Sequence, residues 1–122
     1  MSNPLALVVE DDPDISNVFS QAMKAAGFQA EVIDSGAEAV AWLAAKVPDV
    51  IVLDIRLPHV SGEEILRQVR ADPRLAETVV IVATAYPESA AFLQEHADLV
   101  LIKPISPRQL RKLATQLYSQ EE

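Results

Sequence analysis

Acidic, hydroxyl and basic side chains recur at one kind of place in this 122-residue chain, just after an apolar run. Glu10, Asp11 and Asp12 follow the run at 5–9, Asp54 the run at 50–53, Thr84 the run at 79–83, and Lys103 the run at 99–102. Carboxylates gathered at one place repel and raise one another's pKa. A hard divalent cation relieves that conflict, and oxygen-only ligands select Mg²⁺ or Ca²⁺ over softer metals. Few protein ligands, with water filling the other positions, favour Mg²⁺. A cation, a lysine and a hydroxyl facing a carboxylate are the usual equipment for stabilising a transferring phosphoryl group. The carboxylate can itself be the nucleophile, giving an aspartyl phosphate. Asp54 is the candidate nucleophile, because it alone sits mid-site at the end of the central run. Asp12 is better used as a helix cap, leaving Glu10 and Asp11 to face the metal. A plainer reading stays open, in which the three acids simply favour a positive helix N-terminus.

These residues form one site only if the runs are neighbouring strands. Five short apolar runs, at 5–9, 30–33, 50–53, 79–83 and 99–102, are spaced almost evenly. Continuous apolar character, without alternation, predicts strands covered on both faces. Helical stripes lie between them. Ile15, Val18, Phe19, Ala22, Met23 and Ala26 form the first, closed by Gly27. Ile65, Leu66 and Val69 form another, and Leu110, Leu113, Ala114 and Leu117 the last. Ser35 with Glu38, Ser61 with Glu64 and Ser106 with Gln109 have capping-box spacing. Pro13 and Pro107 stand where a first helical residue needs no N–H, which makes Asp12 an N-cap. Strand and helix thus alternate five times. The pattern predicts an α/β fold of three layers, a flavodoxin-like (βα)5 arrangement with a five-stranded parallel sheet in the order 2-1-3-4-5. Ligands of such sheets bind at the carboxyl ends of the strands, near the switch point between strands 1 and 3.

Composition removes whole classes of function. The chain is half hydrophobic, long enough for one domain with a real core. No apolar run approaches the ~20 residues of a membrane span, and no charged-then-apolar leader opens the chain. With no cysteine, disulfides and thiolate metal sites are excluded, which suits a cytoplasmic protein. A net charge of −8 argues against nucleic acid as a direct ligand, since that affinity comes from cations meeting phosphates.

The motifs "LVVEDDPD" at 7–14, "DVIVLDIRLPHVSG" at 49–62, "IVATAY" at 81–86 and "LIKPI" at 101–105 make the chain resemble the receiver domain of two-component response regulators. The resemblance covers essentially all of residues 1–122, and Pro58 and Gly62 keep the family's offsets from the phosphoacceptor. It implies that Asp54 accepts a phosphoryl group from a phosphohistidine of a sensor histidine kinase or phosphotransfer protein. It implies Mg²⁺ bound by Asp11, Asp54 and the Arg56 backbone carbonyl, with Glu10 acting mainly through water. Lys103 would pair with the phosphoryl group, its bond to Pro104 would be cis, and Thr84 would hydrogen-bond a phosphoryl oxygen and draw its loop inward. Such a domain catalyses only its own phosphorylation and dephosphorylation, and local charge biases a two-state surface for an output partner. No output domain is expected after the fifth helix, and a homodimer through the fourth and fifth helices stays open.

Three departures from the family pattern stand out. Val100 takes the place of the usual aromatic three residues before the lysine, which removes the ring of the family's usual coupling and leaves Tyr86 as the alternative participant. Lys103 follows Thr84 by only 19 positions, which predicts an abbreviated fourth helix. Arg56 and Tyr86, two positions after Asp54 and Thr84, flank the path of attacking water and are expected to tune dephosphorylation. His59 and His96 lack metal spacing and read as loop or surface residues. Trp42 reads as packing or half-exposed surface, and Arg108, Arg111 and Lys112 as a solvated face. A haloacid-dehalogenase-type aspartyl-phosphate phosphatase needs a second Asp where Arg56 stands. A flavodoxin-like binding module needs a phosphate loop where "EDDPD" would repel a phosphate. A phosphorylation-independent docking module usually lacks the Asp or the Lys, and both are present here.

Overall fold

A computed structural model describes residues 3–85 and 90–121. The elements run β1 (Leu5–Val9), α1 (Pro13–Ala25), β2 (Gln29–Ile33), α2 (Gly36–Ala45), β3 (Val50–Asp54), α3 (Gly62–Ala71), a 3₁₀ turn (Pro73–Leu75), β4 (Val79–Thr84), α4 (Ala90–His96), β5 (Leu99–Ile102) and α5 (Pro107–Glu121). All strand pairs are parallel, in the order β2-β1-β3-β4-β5. The expected topology is the observed one.

Side chains alternate across the sheet, so each inner strand feeds two cores. Ala6, Val8, Val50, Val52, Ile81 and Ala83 pack with Phe19 and Met23 of α1 and Leu110 and Ala114 of α5. Leu7, Val9, Ile51, Leu53, Val80 and Val82 face the other way, against Leu43 of α2, Ile65 and Val69 of α3, and Leu93 of α4. Burial on both faces is why β3 and β4 read as unbroken apolar runs. The edge strand β2 departs from that expectation. Val32 is 46 % exposed and Glu31 is exposed, because only one neighbour pairs with this strand. Glu31 instead accepts a hydrogen bond from Trp42 Nε1 at 3.2 Å and pairs with Lys46, whose ammonium lies over the Trp42 ring.

Caps stop and start the helices where the sequence predicts. Asp12 Oδ1 accepts from the amides of Asp14 and Ile15, while Ser35, Ser61 and Ser106 accept from Glu38, Glu64 and Gln109. At Ser61 the reciprocal half of the capping box gives way to other partners, since the Glu64 carboxylate turns forward to Arg67 and Gln68. Gly27 closes α1 at φ 99°, a conformation that costs glycine little. Three strands run one residue further than expected, because Gln29 pairs with Leu5, Asp54 with Ala83 and Thr84 with Ile102 in the ladder. Val18, expected in the core stripe of α1, is 38 % exposed. It lines an apolar surface groove with Ile15 and Phe19 instead of packing into the core. The described part of the fourth helix is Ala90–His96, the start of the expected abbreviated helix lies outside the described residues, and Ile102 on β5 stands 53 % exposed. His59 is exposed, with φ 69°, and His96 is half-buried with its ring 4.4 Å from that of Phe92. Among the described residues, no helix is long and apolar enough to cross a membrane.

One polar bolt holds the α3, α4 and β5 side together. Asp98 Oδ2 accepts from the Val80 amide at 2.7 Å and from Arg70 Nη2 at 2.9 Å, and Arg70 also donates to the carbonyls of His96 and Thr78. Removing the acceptor leaves a strand amide unpaired. Asp98→Ala should therefore destabilise the fold by about 2 kcal/mol, and Asp98→Asn, which keeps an acceptor, by roughly half that. Urea unfolding midpoints of the two variants check the ranking. Equal losses would mean the charge, rather than the acceptor, matters.

Candidate functional site

The site forms where β1, β3, β4 and β5 end together. Parallel strands in register bring these ends to one edge, Val9 beside Leu53, Asp54 beside Ala83, and Thr84 beside Ile102. Glu10 leaves β1 and is held by its amide on the Ile33 carbonyl at 3.0 Å. Glu10 and Asp54 are 2 % and 4 % exposed, Thr84 is buried, and Asp11 is exposed at the rim. Together with Asp12, Ile15, Arg56, Ala85 and Lys103, the three acids line a cleft of about 350 Å³.

Lys103 answers the burial of two carboxylates. Its Nζ donates to Glu10 Oε1 at 2.9 Å and to Asp54 Oδ1 at 3.2 Å. The Lys103–Pro104 bond that sets it there is cis, as the resemblance implies. The other oxygen of Glu10 accepts from the Asp12 amide at 3.2 Å, and Asp54 Oδ1 accepts from the Arg56 amide at 3.4 Å. Burial pushes the Glu10 carboxyl above its ordinary value of 4.5; the bond from Lys103 pulls it back, and the Asp54 charge adds to the rise. Burial draws the Lys103 ammonium down, but its bond to Glu10 and the two negative charges outweigh this, so its pKa lies above 10.5.

Carboxylate oxygens of Glu10, Asp11 and Asp54 lie within 4.8 Å of one another. Two oxygens on one Mg²⁺ are at most ~4.2 Å apart, from a metal–oxygen distance of ~2.1 Å. The cluster thus fits such an ion with a small closing movement, or with one carboxylate joined through water. Glu10, whose two oxygens already accept from Lys103 and from the Asp12 amide, suits the water-mediated place. The donor set is all oxygen, and the fit is that of a hard divalent cation.

The structure brings Glu10, Asp11, Asp54, Arg56 and Lys103 to one cleft and puts buried Thr84 on the strand beside it; Tyr86 lies outside the described residues. Val100 is half-buried on the α4 side of β5, and no ring occupies that position. Sequence reasoning missed that Lys103 spans both acids, a pairing set only by three strands meeting. It also missed an apolar groove beside Lys103, formed by Ile15, Val18, Phe19, Ala85, Pro104 and Ile105. The exposed Val18, out of place in a core stripe, is the signal that could have found it.

Comparison with known proteins agrees with this geometry. The family model for the response regulator receiver domain matches residues 6–115. The chain is 37 % identical over 105 residues to the transcriptional regulatory protein TrcR of Mycobacterium tuberculosis, covering 85 % of this chain and 41 % of that protein. It is 30 % identical over 104 residues to the DNA-binding response regulator MtrA of Mycolicibacterium smegmatis, covering 85 % of this chain and 46 % of that one. The chain thus spans less than half the length of these two relatives. A CheY-like receiver domain structure from Methanospirillum hungatei superposes with a TM-score of 0.90 at 24 % identity, covering 98 % and 97 % of the two chains, a likeness of fold.

The two buried acids make Lys103 a stability determinant. Lys103→Met should cost about 3 kcal/mol near neutral pH, because a buried pair loses one partner. Glu10 has a raised native pKa, so its favourable contribution is complete below 4.5 and fades as pH rises through the raised value. Losing Lys103 raises that value further. The penalty should therefore shrink on acidification from about pH 7 to about pH 5, read from denaturation midpoints. A penalty that grows instead would contradict the pairing.

Proposed function

This chain belongs to the response regulator receiver domain family, and from that footing we propose that Asp54 is its phosphoacceptor, served by Glu10, Asp11, Arg56, Thr84 and Lys103. One observation carries the reading. Asp54 ends the central strand, buried, within 3.2 Å of Lys103 and beside two further acids. Asp11, Asp54 and the Arg56 carbonyl would hold Mg²⁺ directly and Glu10 through water. The ion's part is to offset the negative charge that gathers as a phosphoryl group approaches carboxylates. In the transfer, an Asp54 oxygen forms a bond to phosphorus while the bond from phosphorus to a histidine nitrogen breaks, and that nitrogen keeps the electron pair. Lys103 is already placed to move from Glu10 to a phosphoryl oxygen, and Thr84 supplies a hydroxyl from the adjacent strand. Its movement is the proposed switch, which at Val100 proceeds without a ring.

A sensor histidine kinase or phosphotransfer protein is the proposed donor. The apolar groove of Ile15, Val18, Phe19, Pro104 and Ile105 beside Lys103 supports docking of a donor there. Arg56, exposed and two residues beyond Asp54, is proposed to slow attack by water, and Tyr86 is proposed for the same role. One sheet with helices on both faces accounts for the described residues from 5 to 85 and 90 to 121, which supports reading residues 1–122 as one receiver domain. It serves as a signalling phosphoacceptor whose only chemistry is on itself. The absence of cysteine suits the cytoplasm we propose for it.

Intact-mass measurement after incubation with acetyl phosphate tests the phosphoacceptor. The expected result is a single phosphoryl adduct that needs Mg²⁺, vanishes with EDTA and is absent in Asp54→Asn. An adduct persisting in that variant would move the acceptor elsewhere. Absence of an adduct even from a phosphorylated histidine protein would favour a phosphorylation-independent docking module.

Docking gives a separate expectation. Val18→Glu should slow transfer from a phosphorylated histidine phosphotransfer protein at least tenfold, and leave labelling by acetyl phosphate unchanged. Equal slowing of both would place the defect in the site instead of the groove.

A further inference from the structure

The loop that joins β3 to α3 is pressed between two glycines. A Cβ on Gly62 would lie 2.4 Å from the Asp54 carbonyl oxygen and 2.6 Å from the Ile55 Cα. A Cβ on Gly36, the first residue of α2, would lie 2.2 Å from the Val60 carbonyl oxygen and 2.8 Å from the Val60 Cβ. The first contact belongs to the loop's own chain, eight or fewer residues away. The second comes from a helix that precedes the site and supplies none of its side chains. Gly36 is buried, and the Val60 carbonyl and Cβ fill the space where its side chain would be, so no rotamer change could make room.

Between these glycines two backbone hydrogen bonds close the loop on itself. The Gly62 amide donates to the Ile55 carbonyl at 3.0 Å, the Val60 amide donates to the Pro58 carbonyl at 2.8 Å, and His59 takes a positive φ of 69°. Arg56 lies inside the segment that the Gly62–Ile55 bond closes, so a displacement of Val60 bears on it. Arg56 is where it matters, since its amide reaches Asp54 Oδ1 at 3.4 Å, already at the long end for a hydrogen bond.

We propose that Gly36 is a positioning residue for the phosphoacceptor site: the bare backbone of the first turn of α2 is the seat on which Val60 rests, and that seat sets the height of Arg56 over Asp54. The inference rests on the phosphoacceptor reading of Asp54, with the Arg56 carbonyl at the metal. Sites of this kind need their groups held within ~0.5 Å. A methyl group on Gly36 demands roughly twice that displacement, since backbone contacts to Cβ below 3.0 Å do not persist. Either the loop gives way or α2 does. Seating predicts the loop, because α2 is held by Ala39 and Leu43 in the core, while Leu57 and Val60 are only partly buried.

The test compares wild type, Gly36→Ala, the double variant with Val60→Gly, and Gly27→Ala as a control. Gly27 also needs glycine, with φ 99°, yet nothing lies within 4 Å of where its Cβ would be. Amide spectra of ¹⁵N-labelled protein, titrated with Mg²⁺ alone, report affinity and the Arg56 amide position together, and thermal melts report stability. Gly36→Ala should weaken Mg²⁺ binding at least tenfold and move the Arg56 amide resonance before metal is added. Gly27→Ala should lower the melting temperature with Mg²⁺ affinity within twofold of wild type. Val60→Gly should recover at least threefold of the loss, by letting the Val60 peptide rotate away. Gly36→Ala with wild-type affinity and an unmoved Arg56 amide would overturn the proposal, as would a Gly27→Ala loss of equal size. Should Gly36→Ala not fold, the wild-type titration decides: the Gly36 and Ala37 amides should shift with Arg56, and a shift of Arg56 alone would overturn the seat. Wild-type protein that binds no Mg²⁺ would instead defeat the reading of the site, and this inference with it.

Discussion

One ammonium between two buried carboxylates is the interaction on which this molecule turns. Glu10 and Asp54 are both almost wholly removed from water, and neither could stay charged there alone without a large desolvation cost. Lys103 meets both, from 93 and 49 residues away in the chain. That contact exists only if β1, β3 and β5 stop at the same edge, so the sheet's register and the site's charge balance are a single requirement. The balance is also incomplete: four acids, Glu10, Asp11, Asp12 and Asp54, line the cleft against Lys103 and Arg56, an excess of negative charge that a hard cation would offset.

The rest of the architecture keeps that edge in order. Two apolar cores grip the sheet from opposite faces, and the alternation of side chains along β1, β3 and β4 lets both grow from the same residues. Away from the site, the Arg70–Asp98 bolt ties α3 to the start of β5 with hydrogen bonds. At the site the demand is for closeness. Glycines at 36 and 62 let backbone approach backbone, and the loop carrying Arg56 is held by the shape of its neighbours as much as by hydrogen bonds. Stability and chemistry thus draw on different parts of the same sheet.

Much of the fold was legible because its signals are local or periodic. The unbroken apolar runs announced inner strands, Asp12, Ser35, Ser61 and Ser106 announced helix starts, and each cap accepts the amides its spacing implies. Val18 and Val32 misled for a shared reason. Periodicity says which face of an element is apolar, and only the packed layers say how far the cover extends. Capping at Ser61 was legible by half, since Glu64 found better partners a turn ahead.

The sequence by itself determined the chemical inventory of the site: which acids, which hydroxyl and which lysine stand at strand ends, and hence the class of ion and reaction they suit. Spacing along the chain carries that information, because a strand end is a local event. Tertiary structure alone decided that Lys103 spans Glu10 and Asp54, that Val18 opens a groove beside them, and that Gly36 lies under Val60. Each of these joins residues far apart in the chain across a gap of a few ångströms. Distances of that kind are set by the register of strands and the packing of layers, which no single stretch of sequence contains.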